Sequence, residues 1–271
     1  MKKSKMLWIF AGVLILFNII MYLTRWGGEN VLAVVSDALP VLCALVSLIC
    51  LFYAFKGFKK FDFAKIAWLM IFIGITADFI AETIYGILEI GLKVDVNKVF
   101  PTIADYFWCF AYFPLFVGLA IMFFGYRKSG FPMGNMKLYG LIAAICLVLS
   151  ASIIYYLLVP IMTDSQTGPL AKFFYLFYPV GDIFLVIPAI ILMYITSLFG
   201  TGTISKPWKY LAIGFICFTL ADLIYSYLSW KNLYGSGNFI DLAWHSGYLL
   251  IGLAGLYQRE LIESFKEGAN V

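Results

Sequence analysis

Polar residues in this chain are gathered into short clusters, and the stretches between them are almost wholly apolar. These stretches run over 7–24, 31–54, 66–90, 101–125, 137–160, 170–197, 208–229 and 239–257. At ~1.5 Å per helical residue, about 20 residues cross the ~30 Å hydrocarbon core of a bilayer. The pattern predicts eight transmembrane helices, and the fold class is an all-α polytopic membrane protein. The polar breaks leave no room for a separate soluble domain, so residues 1–271 read as one transmembrane domain with a short tail, 258–271. The first run follows MKKSK and resembles a secretory signal in its flank. It is longer than a signal core, and Thr24-Arg25-Trp26 offers no small-residue cleavage site, so a retained span is expected.

Within the apolar runs the few polar positions repeat. Asp105 is followed by Trp108 at +3 and Tyr112 at +7, then by Gly118-Leu119. Asp241 is followed by Trp244, Tyr248 and Gly252-Leu253 in the same way. Offsets of three and seven place the side chains on one helical face. Upstream, Ala77-Asp78 matches Ala221-Asp222, and Ser36-Asp37 matches Gly181-Asp182, with separations of 144 and 145 residues against 136 for Asp105 and Asp241. The expectation is a tandem duplication, repeat 1 about 7–125 and repeat 2 about 137–257, joined near the Gly, Pro and Asn of 127–137. A unit of four spans re-enters the membrane in the same sense, so the halves are expected to be parallel repeats.

Composition rules out a soluble globular chain: 63% of residues are hydrophobic and 13% charged. The net charge of +4 is no nucleic-acid signature, because the basic residues sort by loop. One side of the expected bundle holds 14 of the 19, including Lys2, Lys3, Lys5, Lys56, Lys59, Lys60, Arg127 and Lys128. The positive-inside bias then places both termini in the cytoplasm and the protein in the cell membrane. Trp8, Trp26, Trp68, Trp208 and Trp230 lie close to span ends and are expected to anchor at the headgroups. Cys43, Cys50, Cys109, Cys146 and Cys217 show no metal-ligand spacing and read as packing residues.

The candidate chemistry lies in seven carboxylates inside the spans: Asp37, Asp78, Glu82, Asp105, Asp182, Asp222 and Asp241. No Lys or Arg lies deep in a span beside them, and an intramembrane charge costs roughly 2.5–3.5 kcal/mol on insertion scales. Counted along the helices, the acids converge on the outer half of the bundle. Two readings stay open: interhelical hydrogen-bonded clamps, or a pocket with Trp108, Tyr112, Trp244 and Tyr248 that holds a cation or an organic amine. His245, the only histidine, shares a face with Asp241, and its counterpart in the first repeat is Cys109. A single histidine excludes a multi-histidine zinc site, no late-span lysine offers a retinal Schiff base, and no phosphate loop or Ser-His-Asp set is present. No cofactor is expected, and the identity of any metal stays unknown.

The segments Pro101-Thr-Ile-Ala-Asp105-Tyr-Phe-Trp108 and Tyr112-Phe-Pro114-Leu115-Phe-Val-Gly118-Leu119, with Asp78, Asp222, Asp241, Trp244 and Tyr248, resemble multi-helix membrane sensor modules that precede diguanylate cyclase or histidine kinase domains. The resemblance implies a sensor-like, ligand-binding module. Only the tail follows Gln258, so signalling is expected through a separate partner. GFICFTLADLIYSYLSW and the Tyr-bearing last helix are also similar to the eight-span lysoplasmalogenase family, which implies a membrane lipid hydrolase using paired Asp residues. A small-molecule or cation transporter is the third reading.

Overall fold

The computed structural model describes residues 2–96, 98–199, 202–235 and 237–268. The end of the expected tail, 269–271, lies outside the described residues. The described residues form an all-α bundle of long helices: α1 (Lys3–Thr24), α2 (Gly28–Gly57), α3 (Phe63–Gly91), α4 (Ile103–Lys128), α5 (Met136–Thr163), α6 (Pro169–Ser197), α7 (Lys206–Trp230) and α8 (Asp241–Gly268). Among the described residues α1 to α7 are long and apolar enough to cross a membrane. In α8, Asp241, His245 and the charged Arg259, Glu260, Glu263 and Lys266 dilute the apolar run. Almost every residue from Gly247 to Leu256 is buried in this helix, which packs against α1, α2 and α7. A helix enclosed by protein does not need a lipid-facing composition.

The connections are short and the helices alternate in direction. One end of the bundle gathers 25–27, 92–96, 98–102, 164–168, 231–235 and 237–240, and the other gathers the start of α1 and the end of α8 with 58–62, 129–135, 198–199 and 202–205. Contacts pin each end. At the first, Trp230 donates to Asp164 at 2.7 Å; at the second, the Ser4 hydroxyl donates to Glu260 at 2.6 Å and Lys266 to the Gly57 carbonyl at 3.2 Å. Asp164 also accepts from Thr167 and from the Gln166 backbone, and these bonds hold its carboxyl down at about 2.

In cross-section α2, α3, α4, α6, α7 and α8 follow one another around a closed ring, with α1 outside against α8 and α5 outside against α6. The two outer helices are held unequally. Asn18 and Tyr22 tether α1 to His245 and Asp241 of α8. No residue of α5 from Met136 to Ile153 is buried. In α5 a π-helical turn at Ile154–Leu158 precedes Pro160. Proline has no N–H and crowds the carbonyl four residues back, here Tyr156, so the wider turn relieves both.

The ring is filled at the terminal end. Trp68 and Trp208 are 0% and 1% exposed, with ring centroids 5.5 Å apart, and the Trp208 indole donates to Tyr126 at 3.3 Å. This corrects the expectation that both anchor at the headgroups. Each indole lies near its helix end but on the face turned into the ring, where burial between helices outweighs the interfacial preference. Trp8 and Trp26 are exposed.

Candidate functional site

Above the Trp68–Trp208 layer the six ring helices enclose a cavity of about 110 Å³. Its floor is apolar, from Leu115, Leu185 and Phe218. Its wall contains all twelve residues singled out from the sequence: Asp37 from α2; Asp78 and Glu82 from α3; Asp105, Trp108 and Tyr112 from α4; Asp182 from α6; Asp222 from α7; and Asp241, Trp244, His245 and Tyr248 from α8. Lys and Arg are absent from the wall.

Helix geometry explains the convergence. Asp105 and Asp241 begin α4 and α8, and the side chains at +3 and +7 descend one face by about a turn each. Trp244 donates to Asp222 on the preceding helix at 2.7 Å, and Trp108 packs against Tyr85 of its own preceding helix, ring centroids 5.7 Å apart. The tyrosines reach across the ring. Tyr248 donates to Glu82 on α3 at 2.7 Å, and the Tyr112 hydroxyl lies 3.0 Å from Asp182 Oδ1 on α6 and 3.0 Å from Asp222 Oδ2 on α7.

The acids fall into two groups by what their oxygens touch. Asp105 closes a capping box, accepting the Thr102 N–H at 2.7 Å and hydroxyl at 3.0 Å on one oxygen and Tyr178 at 2.6 Å on the other. Asp241 accepts four donors: Ser36 at 2.7 Å, the Gly237 N–H at 3.1 Å, Tyr22 at 3.2 Å and Tyr234 at 3.1 Å. Both carboxylates are saturated clamps at helix N-termini, where the exposed N–H groups also favour an anion. Asp182 is different. It is 2% exposed, one oxygen meets Tyr112, and the other, Oδ2, has no protein partner. His245, fully buried, pairs through Nδ1 with the Asn18 amide and leaves Nε2 without a partner.

Four aromatic wall residues were not singled out from the sequence: Tyr85, Tyr178, Tyr225 and Tyr234. Three carried a usable signal. Tyr85 stands seven residues after Asp78 and three after Glu82, Tyr225 three after Asp222, and Tyr178 four before Asp182, all same-face spacings. Tyr234 lies in a loop and had none. It packs edge-on against Tyr225 at 4.9 Å and Trp244 at 6.2 Å. Tyr225 and Tyr234 also line a second hollow at the loop end with Asp95 and Lys98, so these two rings separate the cavity from that end.

Among the described residues no three acid, His or Cys side chains converge closely enough to hold a metal ion. The carboxylates are instead spaced apart by aromatic rings. Comparison with family models, curated proteins and solved structures finds no match to this chain.

Proposed function

We propose that this is a multi-pass protein of the cytoplasmic membrane that binds an organic cation, an amine, within its helix bundle and acts as a sensor-like module. The observation that carries this reading is one cavity walled by seven carboxylates and eight Trp and Tyr rings, with Lys and Arg absent. Carboxylates spaced by ring faces suit an alkylammonium better than a compact metal ion, because the rings supply cation–π attraction where oxygen ligands are too few. Occupancy would be read by a separate signalling partner.

In this reading all eight helices span the bilayer as two parallel four-helix repeats, with both termini in the cytoplasm and the cavity in the outer half. Reporter fusions at 58–62, 129–135 and after Lys266 are then expected to report cytoplasm, and fusions at 164–168 and 231–235 the opposite side. A cytoplasmic signal at 231–235 would remove α8 as a span.

Thermal unfolding of the purified protein tests binding directly. Ethylammonium, dimethylammonium or choline at about a hundredfold excess over its Kd should stabilise the fold by about 2.7 kcal/mol. Sodium, magnesium and calcium should not. Asp222→Asn should lose the shift while melting near wild type without ligand. If none of the three organic cations moves the melt, the cation pocket is refuted.

A second reading, a lysophospholipid or lysoplasmalogen hydrolase, draws on the two carboxylates that share the Tyr112 hydroxyl, an arrangement suited to an acid–base pair. Release of headgroup or aldehyde from such lipids by purified protein, abolished in Asp222→Asn, would favour it over binding alone.

A further inference from the structure

The two contacts of Tyr112 do not balance with one hydrogen. A phenol carries a single donor, yet its oxygen lies 3.0 Å from Asp182 Oδ1 and 3.0 Å from Asp222 Oδ2. Two carboxylates cannot both be served by it, so the second contact needs a proton carried by one of the acids. The surroundings say which. Asp222 has a second donor, the Trp244 indole at 2.7 Å, so both of its oxygens accept. Asp182, which also lines the cavity, has no other donor, and its Oδ2 is buried without a partner. The consistent arrangement is a chain in which the Asp182 hydroxyl donates to Tyr112, and Tyr112 donates to an ionised Asp222 that Trp244 also holds.

We infer that Asp182, Tyr112 and Asp222 form a cation–proton exchange site, in which an alkylammonium ion binds at Asp182 Oδ2 and displaces one proton from Asp182. The inference rests on the amine reading and adds its stoichiometry. The step balances: one ammonium charge enters, one carboxyl O–H breaks, the proton leaves to water, and the net charge of the cavity is unchanged. The groups facing the pair are Tyr112 and Cys109 from α4, Asp78 and Glu82 from α3, and Tyr248 from α8, with Tyr178 and Tyr225 flanking it on α6 and α7. None is basic, and the wall's one imidazole, His245, is fully buried on α8 and tied through Nδ1 to Asn18, so a proton or an entering cation is what offsets a second carboxylate charge here. The ammonium N–H bonds fill the open Oδ2 acceptor, which a quaternary ammonium cannot do.

Titration calorimetry of the full chain in detergent, with ethylammonium as probe, tests the exchange. Like a lysine side chain, an alkylammonium keeps its charge to about pH 10, so a proton released below that comes from the protein. Binding heats measured in two buffers of different ionisation enthalpy should show one proton released per amine. Affinity should rise about tenfold per pH unit while Asp182 holds its proton. Tetramethylammonium should bind more weakly. Infrared spectra of the ligand-free protein give an independent reading: a protonated-carboxyl C=O band lost in Asp182→Asn and retained in Asp105→Asn. If Asp182→Asn does not fold, Tyr112→Phe keeps both acids and should shift that band. Ethylammonium binding with no proton release overturns the exchange and leaves the cation pocket standing. Absence of any amine binding overturns both. A carboxyl band indifferent to both Asp182→Asn and Tyr112→Phe overturns the assignment of the proton.

Discussion

Replacing Asp241 with Ala is expected to destabilise the protein by about 3–5 kcal/mol, because several buried donors lose one shared acceptor together. Its carboxylate accepts from Ser36, Tyr22, Tyr234 and the Gly237 N–H, and the three hydroxyls lose their acceptor at once. A buried donor left unsatisfied costs about 1–3 kcal/mol. The sum is reduced because Tyr234, beside the loop end, can turn to water, and because Ser36 keeps its bond from the Gly237 N–H at 2.8 Å. The four donors come from α1, α2 and the loop before α8, so the loss also loosens α1, which Tyr22 ties to the ring. Asp241→Asn keeps one acceptor oxygen and a similar shape, and should cost less than half as much. Asp62 supplies the comparison, since it caps α3 through a single 3.0 Å bond from the Lys65 N–H at an exposed position. Asp62→Ala should cost about 1 kcal/mol. Thermal or denaturant unfolding in detergent measures all three. Equal stability of Asp241→Ala and Asp62→Ala would show that the cluster holds nothing together.

The second large effect is expected where α7 crosses α8. A Cβ added at Gly214 would lie 3.0 Å from the Gly247 carbonyl oxygen and 2.8 Å from Ile251 Cγ1. One added at Gly247 would lie 3.1 Å from the Gly214 carbonyl oxygen and collide with the Phe218 ring. Each glycine thus faces the other's backbone, which cannot yield as a flexible side chain does. This close approach is how small residues draw helices together inside a bilayer, where no hydrophobic force drives them. Gly247→Ala is expected to cost about 1–3 kcal/mol from overpacking, and Gly247→Leu more. The damage should extend to the cavity, because Trp244, one turn earlier on α8, holds its 2.7 Å bond to Asp222 on α7 only at this helix separation. Gly247→Ala should therefore weaken the amine-induced melt shift as well as the fold. Gly140→Ala on α5, where nothing lies within 4 Å of the added carbon, should be neutral or slightly stabilising. A Gly247→Ala protein that melts like Gly140→Ala would refute the crossing as a constraint.

The membrane-like character of the bundle, the helix positions and the membership of the cavity wall were legible along the chain for one reason. Each depends on hydrophobic run length or on same-face spacing, and both are local properties of a helix. Asp105, Trp108 and Tyr112 share a face whatever they pack against, as do Asp241, Trp244 and Tyr248. The same rule would have reached Tyr85, Tyr178 and Tyr225 had it been applied to every acid. It fails for Tyr234, whose place in the wall depends on how the loop before α8 folds back. It also fails for Trp68 and Trp208, because nearness to a helix end says nothing about which face turns inward.

The amino-acid sequence by itself determined that this chain is a bundle of apolar helices carrying acids and aromatic rings at matched intervals. Only the tertiary structure decided which partner each acid has. Asp105 and Asp241 look alike along the chain as candidate ligands, yet donors from other helices and from their own caps occupy both oxygens of each. Asp182 differs little from them in sequence and is left with an open oxygen. Tyr112 and Tyr248 occupy matching positions, but one meets a pair of aspartates and the other Glu82. The physical reason is that a hydrogen bond needs its donor within about 3 Å and aligned. Helix period sets the face a side chain occupies, whereas that last ångström is set by how the helices of the ring cross.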